Sequence, residues 1–555
     1  MKTKQIGLVV FAPDLMVSGR IVSKATGSRD DTAFVVDTES GLIVKTGNIV
    51  DVGGWVMAQR RYSGRAVAAE HFGGFVLSGL SDAHEHPVLY ASLSMMGAVS
   101  VYGANTSAEV VNKLGAAFPD DAKASIIGTG LNTAVVKDLC TDHLEQLFPG
   151  QDVVVYDGSF HGAVVSRSLG AKIESLMKSR PNAAGHLDKN GCATEDYGLS
   201  GLEIIEAAYT QEELEGAIEA KLDKYLRQGI TSVHDLCMRS TKQVLATLTL
   251  RKRWKQEWGY EFPITRMYMR PKHIAFVVEH LSELERSGLL TSDDFRRMCG
   301  LKLFADGSFG SYTAKLSKPY INRDSDGAWF DTPEYIHDSL ALAAEHGITT
   351  VAMHAIGDAG VNQALITASD WTGMGKDRGF DPVFRIEHFE LPLPLKETLH
   401  AARELGIVVV PQHNFLLDAP YRDRLGDRVD FICPHRSILD AGIPMMSGTD
   451  GMPDSVLYAI YLATHANQEC QRLTLQEAIA AATVAVGRFE GDNRGTLEVG
   501  QKADVILANG LLFTMSHEGE GDPNLSWNPA HVEALEHQIN RVYKGGQEVY
   551  ALPPK

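Results

Sequence analysis

The sequence predicts an α/β protein built on a (β/α)8 barrel of the TIM type. Short runs rich in Val, Ile, Leu and Phe end in polar residues, and amphipathic helical stretches separate them from about residue 225 onward. Seven such runs follow residue 225, and one earlier run brings the number of candidate strands to eight. The candidate strands cover residues 75–80, 230–234, 265–269, 301–304, 349–353, 383–386, 407–411 and 443–447. Eight parallel strands with intervening helices suit a closed barrel, although counting alone also allows a doubly wound open sheet.

Two further regions lie outside this alternation of strands and helices. The stretch between the first two predicted strands is too long for a barrel connection, and we predict an inserted subdomain over the carboxyl-terminal face of the barrel. Both ends of the chain have β-type runs among glycines and polar turns, which predicts a small β-sandwich domain built from both termini. The predicted regions are the β-sandwich at 1–72 and 490–555, the barrel at 73–489, and the insertion at 89–226.

Composition and local sequence patterns indicate which binding partners and which cellular location are expected. The 70 acidic side chains outnumber the 52 basic ones and give a net charge of -18, so no nucleic-acid partner is expected. No run of about 18 apolar residues predicts a membrane span. The first ten residues are too short for a secretion signal, so we expect a cytoplasmic protein. The six cysteines form no Cys-x-x-Cys pair, which predicts neither a disulfide framework nor a thiolate zinc site.

Polar side chains follow several predicted strands at the end of a barrel where catalytic groups lie. His84 and His86 stand at positions i and i+2, so both imidazoles point to the same side of an extended chain and can chelate a divalent metal. Alone, such a pair is more often two polar residues leaving a strand. His354, His388 and Asp450 follow three later runs. If all five converge, they can hold one zinc-like ion with an open position, or part of a pair of ions.

Lys302 lies inside the apolar run at 301–304, where a plain ammonium group is costly without a partner. A buried lysine with a lowered pKa can react with carbon dioxide to form a carbamate, an anion that can bridge two metals. The pattern alone favours the other interpretation, an outward-facing lysine at the edge of a strand.

Five segments containing these residues occur in an order that resembles the amidohydrolase superfamily. The resemblance is to its family 3 branch, which includes N-substituted formamide deformylase, and it covers nearly the whole chain. The tail from Arg494 to Val505 also resembles that branch where its chain returns to the terminal β domain. The segments are His-Glu-His-Pro at 84–87, Leu-Lys-Leu-Phe-Ala-Asp-Gly-Ser at 301–308, His-Ala-Ile-Gly-Asp-Ala at 354–359, Arg-Ile-Glu-His at 385–388 and Ser-Gly-Thr-Asp at 447–450.

The resemblance implies a metal site with one or two divalent ions, zinc being the expected metal. It assigns His84, His86 and Asp450 to one ion and His354 and His388 to the other. Lys302 would be the carboxylated bridge, although some members of the superfamily use one metal and no carbamate. Asp450 would take the proton of a metal-activated water and deliver it to the leaving nitrogen.

Two further residues are candidates for substrate contact. His161 lies in the predicted insertion at a position that resembles one near the substrate in the family, and its alternative is an ordinary loop histidine. Asp306 follows the strand of Lys302, in a loop whose glycines indicate a sharp turn.

The function implied is hydrolysis of a carbon–nitrogen bond in a linear amide or N-substituted formamide. A deaminase or a cyclic-amide or lactone hydrolase is the alternative, because these reactions also pass through a tetrahedral centre. A non-catalytic scaffold would have lost ligand residues, and none of the expected types is missing here. We expect a small-molecule substrate with an aromatic or hydrophobic group, no membrane partner, and a homodimer or homotetramer.

Overall fold

The computed structural model describes residues 6–18, 21–22, 33–58, 66–118, 125–132, 135, 138–180, 183, 185–417, 421–466, 468–509 and 529–552. Within these ranges the strands form three sheets, which are a parallel barrel, a sheet in the insertion and a sheet shared by the two ends of the chain. No helix in the described ranges is long and apolar enough to cross a membrane.

The barrel has seven parallel strands, each hydrogen-bonded to its neighbours in chain order. Nearly all of their residues are buried, as expected for parallel strands that pack against helices on one face and fill the barrel on the other. The strands are β1 (Leu80–Glu85), β2 (Ile230–Met238), β3 (Ile264–Met269), β4 (Cys299–Phe304), β5 (Thr350–Ala355), β6 (Val383–His388) and β7 (Val408–Val410).

Residues 443–450, here called the closing segment, join β7 to β1 and complete the ring. On one side the N–H of Val409 donates to the carbonyl of Pro444 at 2.9 Å, and on the other the N–H of Ala83 donates to the carbonyl of Ser447 at 2.9 Å. The segment makes isolated bridges instead of the continuous eighth strand that was predicted at 443–447. Pro444 explains part of this difference, because proline has no N–H to donate to a ladder.

The first barrel strand was predicted at 75–80, and this position was wrong. Strand Ala66–Ser78 belongs to the sheet of the chain ends, and β1 begins only at Leu80. Gly79 separates the two strands, and a Cβ there would lie 2.3 Å from Oγ1 of Thr231, so only glycine fits. The boundary predicted between 72 and 73 therefore falls inside a strand of the terminal sheet.

Helices surround the barrel and form the main core with its strands. In Gln211–Arg227, the buried residues Leu214, Ile218 and Leu222 recur every fourth position, and Thr210 caps the first turn. The helices of this layer are Pro87–Met95, Gln211–Arg227, Thr241–Glu257, Pro271–Glu279, Leu281–Arg286, Ser292–Met298, Pro333–Glu345, Asp358–Arg378, Leu395–Glu404, His435–Asp440, Val456–His465, Leu475–Ala481 and Val484–Glu490.

The insertion between β1 and β2 has a five-stranded sheet with its own apolar cores. Its strands are Val99–Ser100, Ser125–Leu131, Asp152–Asp157, Gly162–Val165 and Cys192–Thr194, and its helices are Ser107–Ala117, Thr141–Leu147, Arg167–Met177 and Glu195–Glu206. Helices Pro87–Met95 and Gln211–Arg227 pack on each other and on β2, so they belong to the barrel layer although they overlap the predicted range 89–226.

Strands from both ends of the chain pair into one eight-stranded mixed sheet. Ala66–Ser78 lies at its middle, parallel to Ile6–Ser18 and antiparallel to Val505–Ala508. The remaining strands are Ile21–Val22, Ala33–Asp37, Leu42–Gly47, Ile539–Lys544 and Gln547–Ala551, with helices Ile49–Ala58 and Pro529–Glu536.

A buried charge cluster links this terminal sheet to the barrel. Nε of Arg494 lies 3.3 Å from Glu490, which ends a barrel helix, and its Nη1 lies 3.9 Å from Asp504, just before a strand of the terminal sheet. Lys544 lies 3.6 Å from Asp504 and donates to the carbonyl of Thr231 in β2 at 2.5 Å. The two buried cations therefore neutralise carboxylates contributed by both units.

We expect Arg494→Met to lower the apparent free energy of unfolding by about 3 kcal/mol, because it leaves buried carboxylates without a counter-ion. Chemical denaturation followed by circular dichroism measures the change. The control is Arg297→Met, which removes an arginine whose side chain is 64% exposed and should cost less than about 1 kcal/mol. Equal losses in the two variants would contradict the structural role of Arg494.

Candidate metal centre

Three of the predicted ligands meet where the closing segment crosses the end of β1. Nε2 of His86 lies 3.1 Å and Nε2 of His84 lies 3.6 Å from Oδ1 of Asp450. One ligand atom from each of the three residues lies within 4.8 Å of the others. The N–H of Asp450 donates to the carbonyl of His84 at 2.7 Å. A Cβ on Gly448 would lie 2.3 Å from Cβ of His84, so this close crossing requires glycine.

The other predicted ligands lie against this group. The ring centroid of His388 is 4.8 Å from that of His84 and 4.3 Å from that of His354. Lys302 projects from β4, and its Nζ lies 4.7 Å from the ring centroid of Phe304. A cavity of about 50 Å³ is lined by all six predicted ligands, His84, His86, Lys302, His354, His388 and Asp450.

The electrostatics of this cavity suit a divalent cation. Burial lowers the pKa of His84, His354 and His388 well below the usual value, so their imidazoles are neutral and can donate lone pairs. Burial opposes ionisation of Asp450, but the pKa of its carboxyl still lies below the usual value, helped by the hydrogen bond from His86 and the charge of Lys302. Burial also lowers the pKa of Lys302 to about 8.

Unsatisfied nitrogen atoms give a direct test of whether a metal fits. Nδ1 of His86 and Nδ1 of His388 are buried, and neither has a hydrogen-bond partner in the part of the chain that the structure describes. Buried polar atoms are normally paired, and coordination to a cation satisfies an imidazole nitrogen as a hydrogen bond would. Imidazole and carboxylate donors together suit zinc and similar ions, so the residues present fit a divalent metal.

A carboxylate behind the cavity orients one of the histidines. Glu387 accepts a hydrogen bond from Nδ1 of His84 at 2.6 Å, which leaves the lone pair of Nε2 directed towards Asp450. Glu387 is itself paired with the fully buried Arg385, two residues earlier on β6. Glu387 was not predicted from the sequence, although Arg385 and Glu387 stand two apart on a strand and therefore share a face, which could have indicated the pair.

The interior of the barrel below the metal cavity is polar. Arg385 contacts Nδ1 of His234 at 2.8 Å and donates to the hydroxyl of Tyr268 at 3.1 Å. Nε2 of His234 lies 3.0 Å from a carboxylate oxygen of Glu490. These contacts join β2, β3 and β6 to the helix that ends at Glu490, and they hold Arg385 and Glu387 in place.

The two candidates for substrate contact have different positions. His161 lines the cavity, its ring centroid lies 5.2 Å from that of His354, and Glu195 accepts from its Nδ1 at 2.7 Å. Asp306 does not line the cavity. Its buried carboxylate accepts backbone N–H groups from Lys315 at 2.8 Å, Ile356 at 3.0 Å and Gly357 at 2.8 Å, so it organises the loops behind His354.

Several cavity residues were not among the site residues predicted from the sequence. Arg239 follows β2, Phe304 ends β4, and Phe330 lies in the loop after β4. Tyr90 and Phe160 complete the aromatic wall, the first from the helix after β1 and the second from the insertion. Only the strand-end positions of Arg239 and Phe304 offered a signal in the sequence.

Comparison with known proteins decides the family. Residues 72–550 match the sequence profile described as the amidohydrolase family. The chain belongs to the amidohydrolase family. This amidohydrolase is 25% identical over 458 residues to the putative amidohydrolase YtcJ of Bacillus subtilis (strain 168), and the match covers 77% of this chain and 79% of that protein. The predicted family is therefore confirmed.

Two solved structures share the fold of this amidohydrolase. Both are uncharacterised metal-dependent hydrolases, one from Pyrococcus furiosus and one from Pyrococcus horikoshii OT3, with TM-scores of 0.64 and 0.65. Each is 21% identical to this chain, and each match covers 90% of this chain. The match covers 99% of the Pyrococcus furiosus protein and 97% of the Pyrococcus horikoshii protein. The predicted barrel fold is confirmed. Family membership identifies a hydrolase of carbon–nitrogen bonds.

We expect Glu387→Gln to weaken metal affinity by about tenfold to a hundredfold, because an amide holds Nδ1 of His84 less strongly than a carboxylate does. Competition with a chelator, followed by elemental analysis of the protein, measures the affinity. Glu404→Gln, an exposed variant, should leave the affinity unchanged. A loss of metal that only follows the unfolded fraction, measured by circular dichroism, would contradict the orienting role.

Proposed function

We propose that this amidohydrolase cleaves linear amides with a small acyl group, N-substituted formamides being the simplest case. The size of the metal cavity carries the proposal. About 50 Å³ beside the ligand group leaves room for only a few non-hydrogen atoms, such as a formyl or acetyl head. We assign this space to the acyl group of the amide, so the larger part of the substrate would extend away from the ligands.

The residues that would hold two ions divide as the family resemblance suggests. His84, His86 and Asp450 would hold one ion, and His354 and His388 would hold the other. When bound, a divalent metal such as zinc polarises a carbonyl group and lowers the pKa of a water molecule.

Lys302 would bridge the two ions as a carbamate. Its side chain is 1% exposed and makes no ion pair or hydrogen bond with any described residue. A buried ammonium without a counter-ion is costly, and carboxylation replaces its positive charge by a negative one. This environment supports the assignment.

Side chains of this protein would transfer the protons and position the substrate. Asp450 would accept a proton from the attacking water at a carboxylate oxygen and donate it to the leaving nitrogen. His161 is held by Glu195 through Nδ1, so its Nε2 is available to contact the substrate. Tyr90, Phe160 and Phe304 line the cavity and would pack against an aromatic or hydrophobic substrate group.

Metal content tests the bridge. We expect about two zinc ions per wild-type chain and one or none in Lys302→Ala, measured by elemental analysis after identical preparation. Wild-type protein supplied with ¹³C-bicarbonate should also give a carbamate signal in ¹³C NMR that Lys302→Arg lacks. One ion per chain in the wild type, unchanged by either substitution, would remove Lys302 from the site and favour the deaminase or cyclic-amide alternative.

The reaction itself is tested with matched compounds. We expect N-formylbenzylamine and N-acetylbenzylamine to be hydrolysed and N-hexanoylbenzylamine to react at least about tenfold more slowly, because its acyl chain exceeds the metal cavity. Release of benzylamine measures the rates. Hydrolysis of a hydantoin, or ammonia release from a purine, without turnover of the linear amides would overturn the proposal.

A further inference from the structure

A second cavity of about 290 Å³ lies beside the metal cavity. It is formed between helix Glu195–Glu206 of the insertion and the loops that follow β2 and β3 of the barrel. The two cavities share four lining residues, Leu199, Arg239, Phe304 and Phe330. A substrate with its amide at the metal ligands would therefore reach the second cavity by passing these side chains.

Most charged groups of the second cavity are already paired. Glu203 accepts two hydrogen bonds from Arg180, at 2.8 and 3.0 Å. Arg270 is paired with Asp331 at 2.5 Å. Glu206 accepts hydrogen bonds from side chains of Ser92, Gln243 and Ser240 at 2.7, 2.7 and 2.9 Å.

Arg239 differs from these groups. Its Nε is buried without a hydrogen-bond partner, and its guanidinium makes no ion pair with any residue in the described ranges. Its backbone N–H donates to the side chain of Gln243 at 2.9 Å. A partly buried guanidinium that lacks a partner is costly, and it is the side chain best suited to bind a planar carboxylate through two parallel hydrogen bonds.

The charge balance of the cavity limits the ligand. Four cationic and three anionic side chains line it, and Asp331, which pairs with Arg270 behind the lining, balances the charges, so the cavity suits one carboxylate better than a doubly charged phosphate. The cations are Arg180, Arg239, Arg270 and Lys272, and the anions are Asp196, Glu203 and Glu206.

We propose that the second cavity is a subsite for a carboxylate carried by the substrate, with Arg239 as the residue that binds it. The substrates would then be N-acyl amino acids with a short acyl group, whose carboxylate lies a few bonds from the scissile amide. Phe304 and Phe330, stacked with ring centroids 4.8 Å apart, form the apolar wall for the organic part of such a molecule. This inference rests on the proposed hydrolysis of linear amides.

Matched compounds test the subsite. N-formylphenylalanine and N-formyl-2-phenylethylamine differ only in the carboxylate. We expect the metal-loaded wild type to prefer the acid by about tenfold to a hundredfold in kcat/KM, since hydrogen bonds to charged groups contribute that much. Arg239→Gln should abolish the preference by raising KM for the acid much more than KM for the neutral amide. Arg239→Lys should restore part of it, and Arg297→Gln, outside the cavity, should change neither substrate.

A binding measurement separates this subsite from the proposed reaction. Isothermal titration calorimetry gives Kd for N-formylphenylalanine on the wild type and on Arg239→Gln. If neither compound is hydrolysed but the wild type binds the acid and the variant does not, the subsite stands and the proposed reaction is wrong. If both are hydrolysed equally and Arg239→Gln changes nothing, the subsite is overturned and the reaction stands. Absence of both binding and hydrolysis would overturn both.

Discussion

The buried ion pair between Arg385 and Glu387 inside the barrel positions His84, the first of the predicted metal ligands. Both side chains are fully buried, so each charge depends on the other and on the hydrogen bonds around it. Glu387 accepts a hydrogen bond from the ring of His84. Arg385 donates a hydrogen bond to the carbonyl of Ala83, the residue before His84. The pair therefore fixes both the backbone and the ring of the first ligand from below. His86, Asp450 and the closing segment are then arranged around that ligand.

The sequence predicted that these side chains lie close together, because a parallel barrel places the carboxyl ends of its strands at one mouth. If the barrel is assumed, the polar residues at the ends of β1, β5 and β6 and in the closing segment are therefore expected to lie close together at this mouth. Lys302 could not be placed in this way, because a lysine inside an apolar run has the same sequence pattern at a strand edge and in a barrel interior. Its buried position follows only from the packing of neighbouring strands.

Other features depend on contacts that a sequence does not reveal. The apolar run at 75–80 contains parts of two strands from different sheets, and periodicity does not indicate which sheet a residue joins. Asp306 precedes a turn, as expected, but its carboxylate faces backbone N–H groups of distant loops instead of the cavity. Arg239 stands out only when the partners of the neighbouring charges are known, because its buried Nε has no hydrogen-bond partner among the described residues.

The terminal sheet also has a consequence for how the protein is made. Ser78 pairs with Val505, so the strand that leads directly into β1 gains its carboxyl-terminal neighbour only after the entire barrel sequence has been translated. At typical rates of synthesis this interval, roughly 400 residues, takes about 20–90 s. During that time one edge of Ala66–Ser78 lacks its native neighbour and is open to pairing with other chains.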